Sequence, residues 1–190
     1  MVSAPFTPTV IQAVLREALA IARQVGARVA LTGGAALEPW GVARATQDID
    51  LVFLLEPARY ARLRHALVAR GARVLEERGD PRTIWLRVLL RGVQLDWLRA
   101  WDAPTQQALR RAVVRKVLGI RMKVLRPEDL IILKLRLGRP RDVDDATRLY
   151  AFQEARLDHT YLKRAVRRLH IAREWSYLTR TLTRSETPPR

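Results

Sequence analysis

The 190-residue sequence predicts an α/β fold, a mixed sheet flanked by helices and followed by a wholly helical C-terminal region. Three observations carry this. Short apolar runs of strand length recur through the first two-thirds: "RVALT" at 28–32, "DIDLVFLL" at 48–55, "IWLRVLL" at 84–90 and "VQLDWL" at 93–98. Segments with helical periodicity separate them. Beyond Pro127 only helical periodicity remains.

Taken in order, Thr7-Pro8 reads as an N-cap with proline at the first helical position. Ile11, Val14, Leu15, Ala18, Ala22 and Val25 then recur at helical spacing until Gly26. A strand at 28–32 leads to Gly33-Gly34, expected to open a turn into a short helix near 35–38. The second strand is 48–55, and Pro57 starts a helix that stops at Gly71. Strands are expected at 73–76, 84–90 and 93–98, the last two joined by a tight Arg91-Gly92 turn. Pro104 begins a helix reaching about Lys116, and 118–124 is a last strand. Helices at 128–137, 141–154 and 160–182 precede a tail, "RSETPPR", expected to fray. The expected division is 1–126, a sheet-bearing core with its N-terminal helix, and 127–190, a helical region.

Composition narrows the function classes. No apolar stretch approaches the ~20 residues of a membrane span, and no basic region followed by an apolar core marks a signal peptide. With no cysteine there is no disulfide framework, thiolate zinc site or cysteine nucleophile, and a cytoplasmic location is the default expectation. His65, His159 and His170 lack metal-ligand spacing, and Ser3, Ser176 and Ser185 form no nucleophile motif. Charge is the dominant global feature: 35 basic against 19 acidic residues, net +16. From Arg110 to Arg126 there are seven basic residues and no acid. Such a field favours phosphate-rich partners, RNA in particular, and disfavours a membrane surface because the apolar helix stripes are needed for packing. Lys163, Arg164, Arg167 and Arg168 add a second basic face near the C-terminus.

Asp48 and Asp50 pose the sharpest local question. At i and i+2 of a strand both carboxylates point to one side, at the mouth of the apolar run Leu51–Leu55. Two like charges ~4 Å apart repel by roughly 4 kcal/mol at an effective dielectric near 20. One solution is structural, with one carboxylate capping a helix and the other paired with an arginine. The other is a divalent cation such as Mg²⁺, which takes hard oxygen ligands from one or two carboxylates and completes its shell with water and phosphate oxygens. The preceding "VALTGGAAL" supplies an anion cradle on the adjacent strand: two glycines permit close backbone approach to phosphate. A dinucleotide-binding Rossmann unit fits poorly. There is no G-x-G-x-x-G, and the acids open their strand rather than close it.

Gly33-Gly34, then Arg44-Ala45-Thr46-Gln47-Asp48-Ile49-Asp50, and later "RPEDLIILKLRLGRPRDVDDATRL" at 126–149 resemble the nucleotidyltransferase superfamily with the DNA polymerase β-like fold. The flavour is that of bacterial AbiEii-type and related toxin–antitoxin nucleotidyltransferases, over roughly residues 28–150. The resemblance implies a polymerase β-like mixed sheet and transfer of a nucleoside monophosphate from an NTP, for example ATP, with Mg²⁺ or Mn²⁺ as cofactor. It implies that Asp48 and Asp50 hold the metal on the triphosphate. A third carboxylate, Asp96, would help bind a second metal or deprotonate the acceptor hydroxyl. Its place is supported by alternation in "VQLDWL", which puts Asp96 opposite the apolar Val93, Leu95 and Trp97.

Gly33, Gly34 and Thr46 would bind the nucleotide, with glycine at 34 where many members carry serine. Lys134, in the apolar helix "LIILKLRL", would reach the triphosphate, and Asp142 would also face the nucleotide, orienting Lys134 or Arg139. Without the resemblance, Lys134 reads equally as a lysine snorkelling to water, and Asp142 as a first-turn acid favoured by the helix dipole. The implied acceptor is RNA such as a tRNA 3′ end, with a cognate toxin or antitoxin protein as a further partner. The rivals are a small-molecule or protein acceptor, and a non-catalytic nucleic-acid-binding module on the same fold.

Overall fold

A computed structural model describes residues 7–46, 48–80 and 82–185. Among these, seven strands form one sheet: β1 (Arg28–Thr32), β2 (Asp48–Leu54), β3 (Arg73–Arg78), β4 (Trp85–Leu90), β5 (Val93–Arg99), β6 (Val113–Val117) and β7 (Ile120–Val124). Their order is β3-β4-β5-β2-β1-β7-β6. β2 runs antiparallel to β1 and parallel to β5, and β1 runs parallel to β7. With the helices α1 (Pro8–Val25), α2 (Tyr60–Ala69) and α3 (Ala103–Arg111), this is the mixed polymerase β-like sheet the sequence predicts.

The chain divides into two compact units, the first reaching Pro39 and resuming over Arg44–Leu125, the second comprising Trp40–Ala43 and the chain from Arg126 onward. In the first unit, α1 begins on the Thr7 side chain, which accepts from the Val10 amide, and ends at Gly26 in the left-handed conformation. It packs against β1, β5 and β7, and on one face of the sheet Leu31, Leu51, Leu86, Trp97 and Val124 are fully buried. Phe53 meets Trp97 edge-on, ring centres 5.9 Å apart. Burying each such side chain contributes about 1.5–3 kcal/mol, so this face anchors the register of the whole sheet. The opposite face carries Thr32, Asp50 and Asp96 in lateral register. The helix α3 packs against β1 and β2.

The second unit contains α4 (Pro127–Leu137), α5 (Pro140–Gln153), α6 (His159–Arg168) and α7 (Ala172–Ser185). Leu130, Ile131, Ile132 and Leu135 of α4 form its core, whereas Leu137, which the helical pattern assigns to the core, is exposed. Gln153 donates to the Trp40 carbonyl and Arg148 to that of Ala43, which ties the short Trp40–Ala43 segment to α5. No helix among the described residues is long and apolar enough to cross a membrane.

Three local expectations change. The helix expected over 104–116 stops at Arg111, and Val113–Val117 forms the edge strand β6. β-Branched Val113 and Val114 favour extended backbone, and β7 supplies a partner across a Leu118-Gly119 turn in which both φ angles are positive. Residues 33–36 make turns rather than a helix, followed by a 3-10 turn at Glu38–Trp40, because so short a segment before Pro39 cannot nucleate a helix. The single helix expected over 160–182 breaks between Arg168 and Ala172. His170 takes a positive φ, and the Ile171 amide returns to the Val166 carbonyl, closing α6 in a Schellman-like cap. Of the tail expected to fray from Arg184, Arg184 and Ser185 continue α7, and residues 186–190 lie outside the described residues.

Candidate active site

Strand alternation puts Asp48 and Asp50 on one face of β2, and parallel pairing sets Asp96 of β5 beside Asp50. The three carboxylates each offer an oxygen within 4.8 Å of the others. Each like-charge pair at that distance costs about 3 kcal/mol at an effective dielectric near 20, so compensation is required.

Part of it is visible. Arg87, opposite Asp96 in the β4–β5 hairpin, donates from Nε at 2.8 Å and from a terminal nitrogen at 2.7 Å, one bond to each Asp96 oxygen. Asp96 is almost fully buried beneath this fork. Arg87 stacks on the Trp85 ring at 4.7 Å and lies 4.0 Å from Glu76. Hydrogen bonding to Asp96 raises the Arg87 guanidinium above its ordinary value, burial opposes this, and the charges of Asp96, Glu76 and Asp48 add to the rise. Arg87 is therefore a permanent cation beside the cluster. Thr46 donates its hydroxyl to Asp48 Oδ1 at 2.6 Å, fixing that carboxylate's rotamer.

The glycine pair fits around these groups. Gly33 has φ +64°, and a Cβ there would overlap the Asp50 carboxyl. A Cβ on Gly34 would overlap the Arg44 guanidinium and come within 3.3 Å of the Thr46 hydroxyl oxygen. Gly33 is thus required by the Asp50 side chain, whereas at Gly34 the flexible end of Arg44 lies where a β-substituent would project.

The donor set suits a hard divalent cation: three carboxylates converge, and no nitrogen or sulfur ligand joins them in the described cluster. Asp48 and Asp50 would be ligands, and Asp96 keeps a second lone pair on each oxygen beside the bonds it accepts from Arg87.

Lys134 and Asp142 lie in the helical unit and are buried. The Lys134 ammonium is 2.7 Å from Asp145 Oδ2 and 3.5 Å from Asp142 Oδ1, and Arg139 also donates to Asp142. Within that unit Lys134 therefore neutralises a pair of acids.

Sequence reasoning gave no role to Arg87, Trp85 or Asp145, and placed Arg44 in the motif without one. A signal for Arg87 was present. Counting outward from the Arg91-Gly92 turn pairs Leu90 with Val93 and, three positions further out, Arg87 with Asp96. An arginine inside an otherwise apolar strand needs such a partner.

A mixed sheet that converges three carboxylates beside a glycine turn defines a nucleotidyltransferase. The chain belongs to the family described as nucleotidyl transferase of unknown function (DUF2204), whose model matches residues 13–174. Among solved structures, the fold is similar to the antibiotic-resistance factor ANT(2'')-Ia in solution, with TM-score 0.61, 20% identity, and 90% of this chain and 98% of that one covered. The crystal structure of ANT(2'')-Ia with adenylyl-2''-tobramycin gives TM-score 0.59 at 19% identity, covering 90% and 99%. An antigenic nucleotidyltransferase-like protein from Paracoccidioides brasiliensis gives 0.52 at 17% identity, covering 87% and 91%. No curated protein matches the sequence.

Proposed function

We propose that the chain transfers a nucleoside monophosphate from an NTP to a hydroxyl of an RNA acceptor, such as a tRNA 3′ end, with Mg²⁺ or Mn²⁺ held by Asp48 and Asp50. The observation that carries the proposal is the three-carboxylate convergence beside a glycine turn. A bound divalent cation would supply charge neutralisation at the triphosphate and at the attacking and leaving oxygens. The chain's own residues do the rest. Gly33 and Gly34 admit the triphosphate close to the backbone, and Thr46 holds Asp48 in its ligating rotamer. Asp96, oriented by Arg87, accepts the proton of the acceptor hydroxyl. The acceptor oxygen bonds to the α-phosphorus as the α–β bridging bond breaks, and pyrophosphate leaves. Lys134 and Asp142 are proposed as further nucleotide contacts.

RNA as acceptor is supported by the net charge of +16, and a cognate toxin or antitoxin remains part of the same proposal. A second reading, transfer to a small hydroxylated acceptor, draws support from the size match with ANT(2'')-Ia, 98% of whose chain is covered.

The test is thermal unfolding with each NTP, with and without Mg²⁺, in the wild type and in Asp48→Asn/Asp50→Asn. A ligand at 100 times its dissociation constant adds about 2.7 kcal/mol of stability. A Mg²⁺-dependent shift confined to the wild type is expected, followed by labelling of tRNA from the preferred α-labelled NTP. Absence of any nucleotide shift refutes the donor site. Labelling of small hydroxylated compounds but not of RNA selects the second reading.

A further inference from the structure

In the sheet-bearing unit some arginines meet carboxylates, as Arg64 with Glu77, Arg78 with Glu76 and Arg91 with Glu17, and others, such as Arg28, Arg62 and Arg73, are simply exposed. The β6–β7 hairpin stands out by the density of its charge and the sheet face it occupies. Residues 103–127 hold seven arginines and lysines and no acid. Among the described residues Lys116, Arg121 and Lys123 are exposed and none is held in an ion pair.

Register determines where these charges point. Leu31 lies beside Val124 of β7 and opposite Leu51 of β2, so Met122 and Val124 share the buried apolar face of Leu31 and Leu51. Arg121 and Lys123 therefore fall on the other face, with Thr32, Asp50 and Asp96. Cross-strand pairing of Lys116 with Arg121, and of Val114 with Lys123, brings Lys116 and Val114 to that same face. Lys123 is two strands across and two residues along from Asp50. With ~4.8 Å between strands and ~3.3 Å per residue, their Cα atoms are about 12 Å apart. α3 packs on the intervening β1 and β2, and its exposed Arg110 lies just ahead of β6.

We propose that the outer face of the β6–β7 hairpin, through Lys116, Arg121 and Lys123, is the track for the acceptor's phosphate backbone and leads its 3′ end to the carboxylates. This rests on the RNA-acceptor reading above and adds the surface. A phosphodiester chain fits because unpaired cations stand on the same sheet face as the phosphoryl-transfer carboxylates. An anionic membrane fits less well, since Val114 is the one apolar side chain exposed on that face of the hairpin among the described residues, and a membrane-lying surface needs apolar area. The basic face of α6, with Lys163, Arg164, Arg167 and Arg168 exposed, is of similar charge. It belongs to the helical unit and has no register relation to the carboxylates.

The experiment measures binding of a 5′-fluorescein-labelled single-stranded RNA of about 12 nucleotides between 50 and 200 mM salt, the range over which backbone contacts are lost. Three proteins are compared: wild type, Lys116→Ala/Arg121→Ala/Lys123→Ala, and the control Lys163→Ala/Arg164→Ala/Arg167→Ala. Mg-NTP thermal shifts are recorded on all three. Each single-strand phosphate contact contributes about 0.7 to the log–log salt slope, so the hairpin variant should lose about 2 from the slope and at least tenfold in affinity. Its Mg-NTP shift should persist and the α6 control should bind RNA as wild type does. The single Lys123→Glu exchange should act in the same direction. Loss of RNA binding in the α6 variant alone, or equally in both variants, overturns the hairpin track while leaving RNA as acceptor. A wild type that binds Mg-NTP but no RNA overturns the RNA reading itself. Binding to phosphatidylserine vesicles in preference to RNA overturns the proposal in favour of a membrane surface.

Discussion

Gly33→Ala and Gly34→Ala lie one residue apart and should behave as different kinds of perturbation. At Gly33 the backbone φ is +64°, a conformation that costs a non-glycine residue about 1–2 kcal/mol. The new methyl would also overlap the Asp50 carboxyl and approach Asp50 Cβ to 2.7 Å. Because β2 fixes that Cβ, side-chain rotation cannot relieve the contact, and overpacking of this kind costs about 1–3 kcal/mol. The sum, about 2–5 kcal/mol, corresponds to a fall in Tm of roughly 5–15 °C for a chain of this size. At Gly34 the φ is ordinary and the atom in the way is the flexible end of Arg44, which can swing aside. Gly34→Ala should therefore change stability by less than about 1 kcal/mol, because reduced freedom of the unfolded chain offsets the displacement. On the proposed function it should nevertheless weaken Mg-NTP binding, since Arg44 must leave its place over the glycine turn. Thermal unfolding with and without Mg-NTP checks both claims. Equal Tm losses at the two positions, or an unchanged Tm for Gly33→Ala, would refute the account of why each glycine is present.

Arg87→Ala should lower kcat at least tenfold while leaving the Mg-NTP thermal shift in place, because the fork orients Asp96 rather than the triphosphate. Arg87→Lys should rescue only in part, since one ammonium cannot supply the bidentate geometry; full rescue would mean that charge alone is needed. Lys134→Met leaves Asp142 and Asp145 buried without their shared cation and should cost about 3–5 kcal/mol of stability. A stable variant that has lost Mg-NTP binding would instead assign Lys134 to the nucleotide alone. Tyr60 donates to Glu77 at 2.9 Å, and burial, then that hydrogen bond, raise its phenol well above 10. The folded protein therefore retains a proton that the unfolded chain releases near pH 10, and stability, complete below that pH, falls as pH rises further. Denaturant titrations from pH 9 to 11.5 should show a slope of up to about 1.4 kcal/mol per pH unit from this group, absent in Tyr60→Phe. An identical alkaline slope in the variant would refute the assignment.

Two-residue periodicity was enough to put Asp48 and Asp50 on one face of a strand, and to set Asp96 opposite its apolar neighbours. Chain-local chemistry likewise gave the Thr7 cap, the Gly26 stop, the Arg91-Gly92 hairpin and the helices beyond Pro127. These features depend on residues within a few positions of one another. The adjacency of β2 and β5 does not, because it joins segments more than 40 residues apart through a sheet whose register is set by burial of Leu51, Trp97 and Leu31. Only that pairing makes three separate acids into one cluster. The same limit explains β6: "VVRKV" continues a helical pattern until β7 is available as a partner, and only then does extended backbone satisfy its amides. The break at His170 is likewise tertiary, fixed by burial of Ile171 against a helix pattern that continues through it. Local periodicity determined which side chains are candidates for the chemistry; the pairing of distant strands decided that they meet, and that the hairpin's cations stand on the same face.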